Sequence, residues 1–340
     1  MGFVDFYLMK WYNYKKERRI NMDKKRKAII DGNQISELLT LNLGGYEQKV
    51  LVEGKTADLP VVITLHGGPG TPIPFSVGCR GLFPEFTDKF IMVYWDQLGC
   101  GINNRKIDES FKISTFVKMT SDLIDCLKEK FPDNKLLLFS TSWGSVLSAL
   151  VSAEKPDMIY GVVASGQIVK NVFFNDDVME ALEKSATPKK KLEIIKNAKP
   201  ETANPKELQT INACLTKYTD AYNNKNCKKA PMGKIIMGLM TSPDYSFMDF
   251  KAVVDNGYKG NVSLWHEILK IDLTDTLNNV KIPYYIIQGE TDIVASTNVV
   301  KELVGNSENE NLSCIVVENT GHFPGVEMMD NIFENLCELS

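Results

Sequence analysis

At 340 residues, 44% hydrophobic and 24% charged, the chain is long enough to bury a large core, as one big domain or about two. A formal net charge of −4 and a pI near 5.6 exclude a global positive field that would gather nucleic acid, and no run of 18 or more apolar residues offers a membrane-spanning helix. Seven cysteines, an odd number without CxxC pairs or a secretory leader, point to a reducing, cytoplasmic compartment rather than a disulfide framework.

Residues 1–30 form an extension rich in aromatics, with nine basic residues between Lys10 and Lys27. It reads as a solvated, partly helical tail, and contact with an anionic membrane surface is the weaker alternative. A myristoyl anchor has little support, because Phe6 stands where that signal wants Ser or Thr. From residue 31 the pattern becomes regular. "ISELLTLNLGGYEQKVLVEG" gives two alternating strands around Gly44-Gly45, a hairpin signal. The short runs "PVVITL", "FIMVYW", "KLLLF", "YGVVAS", "PYYIIQG" and "LSCIVVE" are continuously apolar, which suits strands buried on both faces. Helical periodicity over 116–130 and 143–154 separates several of them, so the fold class is α/β, a mostly parallel central sheet with an antiparallel start. Over 168–279 the strand signals give way to helix-like sequence rich in Lys, Asn and Met. The expected organisation is an extension (1–30), an α/β core in two parts (31–167 and 280–340), and a helical cap (168–279) inserted over one end of the sheet.

The stretch "FSTSWGSV" (139–146) joins a buried strand to a helix. A serine there is either a helix cap or the nucleophile of a sharp strand-to-helix turn, where residues two before and two after must be small. Ser140 and Gly144 meet that need around Ser142, whose hydroxyl would lie at a helix N-terminus, where free N–H groups favour developing negative charge. A serine hydroxyl needs a base, and the base needs a group to orient it. Of three histidines, His322 in "ENTGHFPG" follows an apolar strand and is expected to be exposed at the site edge. His266 falls on a helix of the cap and reads as structural or surface. His66 opens "HGGPG" and reads as structural, its ring hydrogen-bonding within the loop. For the acid, "YYIIQGETD" ends a strand and offers Asp292, with Glu290 as competitor; the shorter side chain suits a tight turn that holds an imidazole. The order Ser142, Asp292, His322 is that of the α/β-hydrolase fold, and all three follow strands. In "LHGGPGTP", backbone N–H groups of Gly67, with Gly68 as a further candidate, and of Trp143 supply an oxyanion hole. The segment lacks GxxxxGK[ST] and is no phosphate loop.

"HGGPG" at 66–70, "WDQLGCG" at 95–101, "STSWGS" at 140–145, "GETD" at 289–292 and "TGH" at 320–322 together resemble the proline iminopeptidase family of α/β-hydrolases, over roughly residues 35–335. The resemblance implies a catalytic triad of Ser142, His322 and Asp292, oxyanion donors at Gly67 and Trp143, no metal or organic cofactor, and removal of N-terminal residues from small peptides. Two positions depart from the family's pattern: Leu98 stands where the family has arginine, and Ser140 where it has glycine. The family's acidic cap motif for the substrate amine is not found. Glu180, Glu183, Glu201, Glu207 and Glu267 are the candidates, each otherwise a solvated helix charge. An esterase, lactonase or amidase with the same triad is therefore the alternative, and a catalytically silent binding protein a third. An epoxide hydrolase or dehalogenase would need a carboxylate at the position of Ser142.

Overall fold

The computed structural model describes residues 16–229 and 231–340. Among these, the strands are β1 (Ile35–Leu43), β2 (Tyr46–Gly54), β3 (Val61–Leu65), β4 (Ile91–Tyr94), β5 (Leu136–Thr141), β6 (Gly161–Ser165), β7 (Tyr284–Gly289) and β8 (Leu312–Val317). They form one eight-stranded sheet in the order β1-β2-β4-β3-β5-β6-β7-β8. β1 and β2 pair antiparallel around Gly44-Gly45, and β2 pairs antiparallel with β4. From β4 onward every pairing is parallel.

Side chains alternate across a strand, and both faces of this sheet are covered. Val61, Ile63 and Leu65 point into one core, shared with the helices Ile113–Lys130 and Trp143–Glu154. Val62 points into the other, shared with Phe86 and the helix Val326–Leu339. Two-sided burial is why the sequence of these strands is continuously apolar. The strand β8 differs from that expectation. It is the edge strand, and Ser313 and Ile315 are exposed while Leu312 and Val317 are buried.

The chain leaves the sheet after β6 and rejoins it at β7. The two ends of the excursion meet in an antiparallel bridge between Lys170 and Asp272, with the Leu273 N–H donating to the Val169 carbonyl at 2.9 Å. Between them lie short helices, four of which have first turns closed by side chains. Asn175 caps Asp176–Lys184, Asn204 with Glu207 caps Pro205–Tyr218, Ser246 with Asp249 caps Phe247–Lys251, and Asn261 caps Val262–Lys270. Each such cap is worth about 1 kcal/mol. No helix among the described residues is long and apolar enough to cross a membrane.

The N-terminal extension is not wholly a solvated tail. Residues Lys16–Gly32 form a helix, and Arg26 on it is buried. Its guanidinium donates to the carbonyls of Arg80 (2.5 Å), Gly238 (2.7 Å) and Gly78 (2.8 Å), tying the helix to the core and to the β6–β7 excursion together. The aromatic stretch 1–15, on which much of the membrane-surface reading falls, lies outside the described residues.

A second tie is the carboxylate of Asp96, one residue beyond Trp95 and fully buried. It accepts from the N–H groups of Val77 and Ile102, each at 3.0 Å, and from the hydroxyl of Tyr245 in the excursion. Burial pushes its pKa up to about 6 against these lowering hydrogen bonds. The folded state therefore holds the Asp96 proton more tightly than the unfolded chain does. The stability this gives is fully present below the ordinary carboxylate range and is lost as pH rises through about 6. Urea melts of the wild type and Asp96→Asn should accordingly diverge with pH. The stability of the wild type relative to the variant should fall by about 2 kcal/mol between pH 4 and pH 7. A difference that is flat or rises with pH would contradict this.

Candidate active site

The turn after β5 carries Ser142 at φ 50° and ψ −117°, a backbone conformation that non-glycine residues rarely hold. Its N–H donates to the Ser165 carbonyl at 2.9 Å, and its carbonyl accepts from the Ser145 hydroxyl at 2.6 Å. These bonds fix the turn from both sides. The glycine two residues on is required by space: a Cβ on Gly144 would lie 2.0 Å from the Leu65 carbonyl oxygen. The serine two residues before is accommodated by chemistry. Ser140 is fully buried, and its hydroxyl pairs with that of Ser148 at 2.8 Å, which in turn meets the Tyr284 hydroxyl at 3.0 Å. A glycine is replaced here by a hydroxyl that finds a partner.

Beyond the ends of β7 and β8 the chain brings Asp292 and His322 to the same rim. His322 Nε2 lies 2.9 Å from Ser142 Oγ, and its Nδ1 lies 2.7 Å from Asp292 Oδ2. With Nδ1–H donating to the carboxylate, Nε2 is left as acceptor for the serine hydroxyl. The Asp292 carboxylate is held in place on both oxygens. Oδ1 accepts from the N–H groups of Val294 (2.9 Å) and Ala295 (3.0 Å), and Oδ2 from Gln288 Nε2 (3.2 Å) as well as the imidazole. Glu290 is elsewhere, bracing the Asn319 N–H at 2.8 Å.

The expectation that His322 is exposed is corrected by the structure: it is 9% exposed. The excursion covers it. Its N–H donates to the Ala221 carbonyl at 2.7 Å, the Phe323 N–H to the Tyr222 carbonyl at 3.0 Å, and the Tyr222 ring stands edge-on to the imidazole with centroids 5.8 Å apart. Asp220 joins in, its carbonyl accepting from the Thr291 hydroxyl at 2.9 Å. Tyr222 and its neighbours carry no distinguishing sequence pattern, and only the folded chain identifies them.

Gly67 follows β3 and lies against the turn; a Cβ on it would be 3.2 Å from the Ser142 Cβ. Trp143 is the first residue of its helix, so its amide has no carbonyl one turn back to bind. Gly67 and Trp143 thus both lie next to Ser142. His66 is buried and reaches beyond its own loop. Nε2 accepts from the Gln97 N–H at 3.0 Å, which places the proton on Nδ1, and that proton goes to the Gly67 carbonyl at 2.9 Å. Burial lowers its pKa to about 4, so the ring is neutral at neutral pH. His266 is remote in role, with Nε2 2.9 Å from the Ala203 carbonyl.

The acidic residues expected to receive a substrate amine have other engagements. Glu180 pairs with Lys184, Glu183 with Lys196 at 2.6 Å, and Glu207 accepts from the Asn204 N–H at 2.8 Å. Glu267 accepts from the Ile113 N–H at 2.8 Å, and Glu201 is exposed. None of these bonds touches the Ser142 rim.

Comparison with known proteins places this arrangement. The sequence pattern described as the alpha/beta hydrolase fold matches residues 60–327. A probable aminopeptidase, YbaC, of Bacillus subtilis (strain 168) is 23% identical over 309 residues, covering 88% of this chain and 94% of that protein. The proline iminopeptidase of Neisseria gonorrhoeae is 36% identical over 105 residues, covering 31% of this chain and 32% of that one. The crystal structure of the proline iminopeptidase of Mycobacterium smegmatis superposes with a TM-score of 0.59 at 17% identity, over 89% of this chain and 97% of that one. With its sheet order, its rim of residues beyond the strand ends and a match spanning most of its length, the chain belongs to the alpha/beta hydrolase fold family and is a hydrolase.

Proposed function

We propose that the protein is a serine hydrolase that works through an acyl-enzyme, and that its reaction is removal of N-terminal residues from small peptides, as in an aminopeptidase of the proline iminopeptidase kind. The observation that carries this reading is the chain of short contacts from Ser142 Oγ through the His322 ring to Asp292, at 2.9 and 2.7 Å. In it, His322 takes the proton of Ser142 as the oxygen attacks a carbonyl. The imidazolium so formed is stabilised and oriented by Asp292, and the amides of Gly67 and Trp143 bind the oxyanion. His322 then gives its proton to the leaving group. A water, deprotonated by the same ring, releases the acyl group and returns Ser142 to its starting state. The segment 168–279 acts as a cap that shapes the substrate pocket. The seven cysteines, all unpaired in the structure, suit the cytoplasm.

A second reading, an esterase, lactonase or amidase using the same residues, is favoured by one specific observation. Four of the five candidate carboxylates for a substrate amine are engaged in helix starts and ion pairs and the fifth, Glu201, is exposed, so the amine-binding group of an aminopeptidase is unassigned.

Ser142→Ala should lower turnover by about 10⁴- to 10⁶-fold without loss of folding, and unchanged turnover would refute the assignment of the nucleophile. A panel of aminoacyl-naphthylamides, their N-acetylated forms and short-chain p-nitrophenyl esters separates the two readings. An aminopeptidase cleaves the free-amine compounds and discriminates against the acetylated ones. Turnover confined to esters, or indifferent to acetylation, selects the second reading.

A further inference from the structure

The segment "WDQLGCG" has no direct part in the proposed chemistry, yet Gln97 in it is fully buried and has every polar group of its side chain in use. Its Nε2 donates to the His66 carbonyl at 3.3 Å, and its Oε1 accepts from the indole Nε1–H of Trp143 at 2.8 Å. Its backbone N–H donates to His66 Nε2 at 3.0 Å. The indole can only donate, so the amide orientation is fixed by chemistry.

These contacts bear on the two residues that carry the oxyanion donors. The His66–Gly67 peptide is trans, so its C=O and its N–H point in opposite directions. Drawing the His66 carbonyl toward Gln97 turns the Gly67 N–H away from Gln97. The next peptide is fixed as well, because the Gly67 carbonyl accepts from the His66 ring at 2.9 Å and from the Thr71 N–H at 3.1 Å. On the other side, the Trp143 ring is pinned by Gln97 while its backbone begins the helix after Ser142. One side-chain amide thus spans β3's outgoing loop and the start of the helix, the two segments between which an oxyanion would sit.

The geometry points to Gln97 as the positioning residue of the oxyanion hole, setting the Gly67 and Trp143 amides relative to one another through the His66 carbonyl and the Trp143 indole. This rests on the proposed serine chemistry. A preorganised donor pair matters most where charge develops, in the tetrahedral intermediate, and little in binding the neutral substrate. Gln97 should therefore control the rate of the chemical steps and leave ground-state affinity nearly alone. Replacing it by Glu keeps the shape and the acceptor for Trp143 but removes the donor to His66. Replacing it by Met removes both.

The test compares wild type, Gln97→Glu, Gln97→Met and Ser142→Ala, using whichever ester or aminoacyl-naphthylamide the wild type turns over. Inhibition by phenylboronic acid, which forms a tetrahedral adduct on a serine oxygen, is measured alongside, as are melting temperatures. Removing an oxyanion donor outright costs about 10²- to 10³-fold in kcat, and misplacing the pair should cost about 10- to 100-fold. The expected result is that fall in kcat with KM within about twofold, together with a comparable weakening of boronate inhibition, in a variant that still melts cooperatively. Should both Gln97 variants fail to fold, Trp143→Phe, which removes the indole donor together with part of a buried ring, must show the same split between kcat and KM on a smaller scale. Unchanged kcat, or a rise in KM that accounts for the loss while boronate inhibition is unaltered, overturns the role of Gln97. Turnover retained by Ser142→Ala would instead overturn the serine chemistry on which it rests.

Discussion

Everything at the rim depends on a close approach of two backbones. The helix that begins at Trp143 can pack against the end of β3 only because Gly144 has no side chain, with the Leu65 carbonyl 2.0 Å from where a Cβ would be. That approach forces the turn between β5 and the helix into the conformation seen at Ser142, where φ is 50°. Such a residue costs on the order of 1–3 kcal/mol, and it persists because its surroundings over-determine it. The hydrogen bonds from Ser142 N–H to Ser165 and from Ser145 to the Ser142 carbonyl are those surroundings. The consequence is a hydroxyl lifted off the sheet at a helix N-terminus, within reach of an imidazole from a loop 180 residues later.

No single pair of strands holds Ser142, His322 and Asp292 together, and buried polar links supply the remaining constraint. Gln288 on β7 reaches Asp292, so the strand itself anchors the carboxylate. The Ala221 and Tyr222 carbonyls hold the loop of His322 from above, making the excursion between β6 and β7 part of the frame around the imidazole. Asp96 and Gln97, adjacent in sequence, serve different sides. Asp96 binds the Tyr245 hydroxyl of the excursion, and Gln97 binds His66 and Trp143. Buried polar groups are stabilising only when satisfied, so networks of this kind narrow the number of arrangements the core can adopt. Arg26 extends the same logic to the N-terminal helix, where three carbonyls receive one guanidinium.

The sheet was legible because its residues are buried on both faces, and burial leaves a mark in composition that needs no tertiary knowledge. β8 departs from that principle: the run 312–317 is apolar, but the strand is at an edge and presents Ile315 to solvent. Ser142, Asp292 and His322 stand out in sequence because each follows a strand and because small residues flank the first. The burial of His322 was not legible, since it arises from a segment a hundred residues earlier that has no pattern of its own. Nor was the use of Arg26. A run of basic residues reads as solvated until one of them meets three carbonyls at a particular place in space. Gln97 is intermediate: the segment containing it is conspicuous, but its partners, His66 and the Trp143 indole, become evident only on folding.

The proposed activation of Ser142 is tested most directly by treating the intact protein with a fluorophosphonate and locating the adduct by peptide mass spectrometry. One adduct is expected, on the peptide containing Ser142, formed rapidly in the wild type and at a greatly reduced rate in His322→Ala. No adduct on the folded wild type, or labelling at another residue that is indifferent to His322, would contradict it.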